Sequence, residues 1–356
     1  GVKTGEPIWE AKQKCPHGIY IKRDFRWYEV VSKRMWEYLK TISPQVEYYS
    51  IDEWFFDAGE LSREFGNPLE EATRRLQARI FEQIRVPVSI GVSTSKTLAK
   101  LGSDSAKPFG VRVLLGEAIL PLLREQPVSE VCGIGARSVE KLAQLGILTC
   151  ADFVAADRKL IRDLLPIKGE GLWWELQGES VNRIVTKRPQ HKYVSRGGSV
   201  GRAITTLDQL RGWLMRTLER LIEALNAHAY VCGTLGMQIE FKGPKLWSAR
   251  LRLLGDSAES EQLQPAAMAL LEKGWQEGET VTHLHLIAGD IARRQERQLS
   301  LFDMKPQSRI DQLKQQINGK LGRFVIRSGA TLHLPDLYQD ASHDYEICDV
   351  QGKMCF

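Results

Sequence analysis

The sequence contains no apolar run near the ~18 residues that would span a bilayer, and no secretory signal at its start. Cysteine is scarce. The six residues at 15, 132, 150, 232, 348 and 355 form no C-x-x-C pair and match no zinc-ligand spacing. A disulfide framework is therefore not expected, and free thiols in a reducing, cytoplasmic setting are. His283 and His285 fall on one face of an expected strand, but no further ligands accompany them, so packing or exposure explains them better than a metal does. No internal repeat or low-complexity tract is present. Neither charge sign dominates: 49 Lys and Arg face 44 Asp and Glu, a net +5. Such mild basicity permits a nucleic-acid partner without demanding one. An initiator methionine is also missing before Gly-Val-Lys-Thr-Gly, so a piece of a longer protein is expected. What remains is an ordinary globular mix, 43% hydrophobic and 26% charged over 356 residues. At roughly 100–200 residues per domain, that length holds two to four domains.

Hydrophobic periodicity outlines the elements. Residues 18–21 read as a short strand. Phe25, Tyr28, Val31, Met35, Trp36 and Leu39 recur at helical spacing over 24–39. Residues 46–50 and 54–56 are aromatic and β-rich, predicting two short strands that meet around Ile51-Asp52-Glu53. Asn67-Pro68 opens a second helix, with Leu69, Ala72, Leu76 and Ile80 on its inner face. A strand over 86–92, a helix over 95–107 closed by Pro108, and a strand over 111–115 follow. This alternation predicts an α+β unit, a sheet covered by helices. Short, glycine-punctuated helical runs occupy 127–165. The basic, apolar-poor stretch 187–200 reads as a linker. Beyond it, a Leu207-Leu210-Leu214-Leu218-Leu221-Leu225 stripe marks a long helix. Strands at 235–241, 247–254 and 281–287 and a helix at 265–275 complete a β-α-β-β-α-β order. One more helical stretch, 310–321, stands in a polar C-terminal region.

Five stretches carry chemistry. The first is Ser50-Ile51-Asp52-Glu53. Adjacent carboxylates in an aromatic setting are costly unless solvated or paired with a cation. At a hairpin tip they can converge on a divalent metal, although a solvated turn fits as well. The second follows a strand and opens a helix. Lys96, Lys100, Ser103 and Lys107 stand near one helical face, suited to phosphate or simply to water. The third, Gly133-Ile134-Gly135-Ala136-Arg137-Ser138, is a tight glycine turn opening a helix. Its free backbone amides suit a DNA phosphate in a helix-hairpin-helix, or the turn is purely structural. The fourth is Gln298-Leu299-Ser300-Leu301-Phe302. Its three large apolar residues either dock into a partner's groove or fold back on their own domain. The fifth is a basic excess over 187–250, where eleven Lys and Arg meet four Asp and Glu. That surplus exceeds the whole chain's and fits a phosphate-tracking surface, or an ordinary solvated one.

In this order and spacing the motifs resemble a Y-family translesion DNA polymerase, and within it the UmuC-type catalytic subunits. The resemblance rests on Ser-Ile-Asp-Glu, Lys-x-x-x-Lys followed by Ala-Lys-Pro-x-Gly, the Gly-Ile-Gly turn and the β-α-β-β-α-β order. The 298–302 segment resembles a sliding-clamp docking motif, and residues 318–323 resemble the UmuC-type tail. The likeness covers nearly the whole chain. It implies an α+β, multidomain right-hand polymerase: a fingers remnant at 1–22, a palm at 23–122, a helix-hairpin-helix thumb at 123–186, a little finger at 187–292 with its linker at 187–194, and a C-terminal extension at 293–356. The family's first metal-binding carboxylate and its aromatic gate would lie upstream of Gly1. About fifty residues of palm and fingers then precede this chain, on the size of a small subdomain. The chain alone is accordingly expected to lack polymerase activity.

The resemblance also implies roles. Primer-template DNA and deoxynucleoside triphosphates are the substrates, and two Mg²⁺ ions the cofactor. Asp52 binds both ions and Glu53 the ion nearer the primer. Lys107 meets the triphosphate, with Lys96 and Lys100 as lesser candidates. Gly133, Ile134, Gly135, Arg137 and Ser138 hold duplex phosphates. The little finger contacts backbone through Arg196, Ser199 and Arg202. Gln298, Leu299, Leu301 and Phe302 dock on the bacterial sliding clamp, and UmuD′-like and recombinase partners are raised without being required. Two other functions stay open: a non-catalytic relative acting as a DNA- and clamp-binding adaptor, and a helix-hairpin-helix DNA-binding protein with no enzyme ancestry.

Overall fold

The computed structural model describes residues 1–3, 5–21, 24–187, 190–296, 309–321 and 324–334. The chain forms two compact units, Val30–Pro189 and Gly1–Glu29 with Gln190–Phe356. Gln298, Leu299, Leu301 and Phe302 lie outside the described residues.

The chain opens with a short helix, α1 (Ile8–Lys14). No strand forms over 18–21; Ile19 and Ile21 are 90% and 84% exposed, and among the described residues no strand pairs with them. Helix α2 (Phe25–Ile42) then leads into the first unit and presents Met35 and Leu39 to its core. Strands β1 (Val46–Ser50) and β2 (Glu53–Phe56) make the expected antiparallel hairpin, with Val46 opposite Phe56 and Ser50 opposite Glu53. Helices α3 (Leu61–Phe65) and α4 (Leu69–Ile84) cover it, burying Leu61, Phe65, Ala72, Leu76 and Ile80.

Strand β3 (Ile90–Ser93) pairs in parallel with β4 (Val111–Leu114), and α5 (Lys96–Ser105) is the crossover that a parallel pair needs. The strand expected over 86–92 starts only at Ile90, because Pro87 offers no amide to a ladder. The two pairs are separate two-stranded sheets, where one sheet was expected. Helices α6 (Ile119–Glu125), α7 (Ala136–Ala143), α8 (Cys150–Ala155), α9 (Arg158–Leu164) and α10 (Gly169–Leu176) complete the unit. Their buried Leu122, Leu142, Phe153, Ile161 and Leu176 share one core with Leu98, Leu101 and Leu114 of α5 and β4. The core therefore does not divide at the expected 122/123 boundary.

In the second unit β5 (Val194–Ile204), α11 (Leu207–Ala227), β6 (Tyr230–Phe241), β7 (Leu246–Ser257), α12 (Ser260–Gly274) and β8 (Val281–Arg293) follow the expected β-α-β-β-α-β order. The sheet runs β5-β8-β6-β7 with every neighbouring pair antiparallel. The stripe Leu210, Leu214, Leu218, Leu221 and Leu225 is fully buried against it. Burying each such side chain contributes about 1.5–3 kcal/mol relative to exposure. Strand β5 takes the second half, 194–200, of the stretch expected as a linker. Its glycines dilute β propensity in sequence, yet its backbone pairs with β8 from Val194 opposite Ala288 onward. Helix α13 (Arg309–Leu321) and the turn Gly329–Thr331 belong to the same unit. Lys314 pairs there with the buried Glu219 of α11, and Thr331 is fully buried. Among the described residues no helix is long and apolar enough to cross a membrane.

Candidate active site

Ile51 and Asp52 form the turn of the β1–β2 hairpin, so Asp52 and Glu53 are not bound to the opposite faces a continuous strand would impose. The Ser50 hydroxyl donates to Asp52 Oδ1 at 2.7 Å and orients that carboxylate. Tyr49 and Phe55 stack edge-on beneath the tip, with ring centroids 5.2 Å apart. The Tyr49 hydroxyl lies 3.1 Å from Cys132 Sγ. That contact, with burial second, pushes the phenol up to about 12.

Helix α5 faces the hairpin with its cations. Ser95 caps it, accepting from the Leu98 amide at 3.3 Å. The helix lies directly on β3. A Cβ on Gly91 would stand 1.9 Å from the Ala99 carbonyl oxygen and 2.4 Å from the Ser103 nitrogen, so only glycine permits this approach. One turn apart, Lys96 and Lys100 reach different carboxylates. Lys96 donates to both oxygens of Glu47, at 2.8 and 2.6 Å, and lies over the Phe55 ring at 4.9 Å. Glu47 also accepts from the Val185 amide at 2.7 Å and is only 8% exposed. Lys100 pairs with Glu53 and lies 3.5 Å from Asp104. Burial pulls the Lys100 pKa down, but the hydrogen bond to Glu53 and the Asp104 charge outweigh it and hold the ammonium above its ordinary range. Lys107 reaches Asp104 at 2.7 Å and keeps 63% of its side chain exposed.

The structure thus joins Glu53, next to Asp52 at the hairpin tip, to Lys100, and links Lys100 through Asp104 to Lys107. Lys96, expected at the triphosphate, is instead committed to Glu47 in a largely buried pair. Sequence reading missed Glu47, and it missed Glu175, which is fully buried on α10. Glu175 accepts from the amide and hydroxyl of Thr97 in the first turn of α5, and from the amides of Val181 and Asn182.

The glycine turn has the expected form. Gly133 takes φ +103°, Ile134 is buried as its anchor, and Gly135 caps α7. The first amides of a helix lack intrahelical partners, and Arg137 stands exposed beside them.

On the second unit the sheet has one covered and one open face. Met237 and Leu286 face the helices, whereas Gln238 and His285 alternate with them on the other side. Ser199 shares the open face opposite His283. Arg196 does not: it lies opposite Leu286 on the covered side and is only 4% exposed, which removes it from a DNA-facing role. The side chain of Arg202 is outside the described residues. Strand β7 supplies Arg250, the last residue of the basic excess over 187–250, and Arg252, which sequence reading left unassigned. Arg250 and Arg252 alternate with half-buried Leu251 and Leu253 and are exposed. The period-two pattern of 246–254 carried that signal. His283 lies 3.3 Å from Glu240. The neighbouring His285 titrates below its ordinary value, mainly through burial.

The hairpin's donor set suits a hard divalent cation. Both groups are carboxylates, and Glu53 already has a positive charge, the Lys100 ammonium, seated on it. Mg²⁺ is typically held by one or two carboxylates together with substrate phosphates, which matches Asp52 and Glu53. Among the described residues no group of three or more His, Cys, Asp or Glu is arranged to hold a metal.

Comparison with known proteins gives consistent results. The impB/mucB/samB family model matches residues 1–104, and the model of that family's C-terminal domain matches residues 191–301. DNA polymerase IV of Oceanobacillus iheyensis is 30% identical over 338 residues, 92% of this chain and 79% of the relative. DNA polymerase IV of Bacillus velezensis is 29% identical over 338 residues, 93% of this chain and 81% of the relative. Among solved structures, a Y-family DNA polymerase chimera superposes with a TM-score of 0.67 at 22% identity, covering 82% of this chain and 84% of its own. That likeness establishes the overall fold.

Proposed function

The chain belongs to the Y-family of DNA-directed DNA polymerases, and on that premise we propose that its β1–β2 hairpin and α5 form the nucleotidyl-transfer site of an error-prone translesion enzyme. The observation that carries this reading is the placement of Asp52 and Glu53 at a hairpin tip, with Lys100 paired to Glu53 and the accessible Lys107 linked to Lys100 through Asp104. In the proposed reaction a primer 3′-oxygen attacks the α-phosphorus of a deoxynucleoside triphosphate opposite a damaged template base, and pyrophosphate leaves. Two Mg²⁺ ions, when bound, supply the charge that lowers the primer hydroxyl's pKa and neutralises the phosphates. Asp52 and Glu53 hold that charge at the tip, and the Ser50 hydroxyl fixes the direction of Asp52. Lys107 meets the triphosphate, since its ammonium is the more exposed of the lysines on this face. Arg137 and the first amides of α7 grip duplex phosphates. Arg250, Arg252 and Ser199 on the open face of the second sheet contact backbone rather than bases.

Further readings remain proposals with their own supports. The 298–302 segment supports docking on the bacterial sliding clamp. That segment and the 318–323 stretch support a UmuC-type member acting in the SOS response, with UmuD′-like and recombinase partners. The deciding experiment is primer extension by the full-length protein. Asp52→Ala should abolish extension while leaving primer-template affinity intact. Undiminished extension by that variant overturns the assignment of the hairpin as the catalytic centre.

A further inference from the structure

Four charges of alternating sign follow one another from the hairpin, over α5, to the turn just past its end: Glu53, Lys100, Asp104 and Lys107. The inner two each have a choice. Lys100 stands between the carboxylates of Glu53 and Asp104. Asp104 stands between the ammonium groups of Lys100 at 3.5 Å and Lys107 at 2.7 Å. The lengths show how the choice is made here. Lys107 holds Asp104 closely, and Lys100, with Asp104 engaged elsewhere, leans on Glu53.

We propose that Asp104 is a positioning residue that couples nucleotide capture at Lys107 to the release of Glu53 from Lys100. The inference rests on the active-site reading above and deepens it. Lys107 is the exposed end of the line, on a flexible stem, and a triphosphate draws its ammonium away. Asp104 then lacks its nearer cation and attracts Lys100 more strongly. Lys100 sits one helical turn before Asp104, so the exchange needs a rotation of its terminal methylenes rather than backbone movement. Glu53 is left without its counter-ion and becomes a ligand for a divalent cation. Lys100 is only 18% exposed at its side chain, and Glu53 and Asp104 are near 30%, so these interactions are screened less than those of surface pairs. Before nucleotide arrives, the same arrangement keeps Glu53 occupied and discourages unproductive metal binding. The competing account is that Lys107–Asp104 is an ordinary exposed pair of little energetic consequence.

The test needs no catalysis. Mn²⁺ binding to the full chain is read from the loss of the free ion's electron paramagnetic resonance signal, without nucleotide. Lys107→Gln should tighten binding roughly five-fold, the low end of typical coupling between sites, because Asp104 is freed to take Lys100. In an Asp104→Asn background the same change should do nothing, and Asp104→Glu should restore the effect. Lys100→Met should tighten binding and make it indifferent to Asp104→Asn. An equal effect of Lys107→Gln with and without Asp104 means a direct long-range repulsion and overturns the coupling. Asp52→Ala separates the two levels of the proposal. If Mn²⁺ binding is unchanged by Asp52→Ala, the metal-binding reading of the hairpin itself fails. If binding depends on Asp52 but the cycle is additive, only the coupling fails. Asp104 and Lys107 lie outside the core, so unchanged circular dichroism is expected for each variant and confirms that the comparison is of folded proteins.

Discussion

Glu175 and Thr97 are 78 residues apart in sequence, yet one carboxylate oxygen of Glu175 accepts from both the amide and the hydroxyl of Thr97, at 2.9 and 2.7 Å. The other oxygen accepts from the amides of Val181 and Asn182 at 3.1 and 2.7 Å. A fully buried carboxylate is tolerable only with such saturation. It also sets a negative charge at the N-terminus of α5, where the helix dipole favours it. The helix that carries Lys96 and Lys100, and leads into Lys107 just past its end, is thereby fixed at its first turn by a residue from α10.

Glu175→Ala should therefore destabilise the first unit by about 3 kcal/mol, since four donors lose the fully buried acceptor they share. Denaturant unfolding would show a lower midpoint at unchanged slope. A loss within a few tenths of a kcal/mol would mean that water replaces the carboxylate.

Lys96 and Lys107 should separate cleanly. Lys96→Ala leaves Glu47 without its cation in a site only 8% exposed, and should cost about 3 kcal/mol of stability. Lys107→Ala should leave stability nearly untouched and, in the full-length enzyme, lower catalytic efficiency for the incoming nucleotide roughly ten- to a hundred-fold. Equal losses in DNA affinity and nucleotide use would place Lys107 on the duplex surface instead.

DNA binding should be independent of sequence and steeply dependent on salt. Each phosphate neutralised adds about 0.9 to the slope of log affinity against log salt on duplex DNA. Replacing Arg250 and Arg252 together with Gln should flatten that slope by about one to two, while Arg196→Gln should act on folding rather than on the slope. Fluorescence anisotropy across a salt series measures both.

For the 298–302 segment, Leu301→Ala combined with Phe302→Ala should remove binding to the bacterial sliding clamp, which is expected to be roughly micromolar. Calorimetry with purified clamp checks this, and DNA affinity should not change. A double variant that binds as well as the parent excludes the segment as the contact. One that unfolds assigns these side chains to the chain's own core.

The legible parts of this molecule were those with local signals. The hairpin at Asp52-Glu53, the helix expected over 95–107 and the leucine stripe of α11 each follow from residues a few positions apart. Strand β5 was obscured because Gly197, Gly198 and Gly201 supply no β-branched or aromatic signal, and its pairing partner lies about ninety residues away. The roles of Glu47 and Glu175 had no local signature, since their partners are 49 and 78 residues distant. Arg196 was misplaced for a different reason. Its charge suggested a solvent-facing group, whereas strand parity puts it beside Leu286.

At Gly91 a missing carbon has a consequence beyond packing. Because the backbone of α5 meets that of β3 at Gly91 with no side chain between them, the height of the helix above the strand at that point is set by the contact radii of main-chain atoms. No side chain there can be trimmed or swivelled to adjust it. Glycine 91 acts in this sense as a gauge block of zero thickness. Through it, the seat on β3 of the helix that carries Lys96 and Lys100 is inherited at this point from peptide geometry rather than from a side chain.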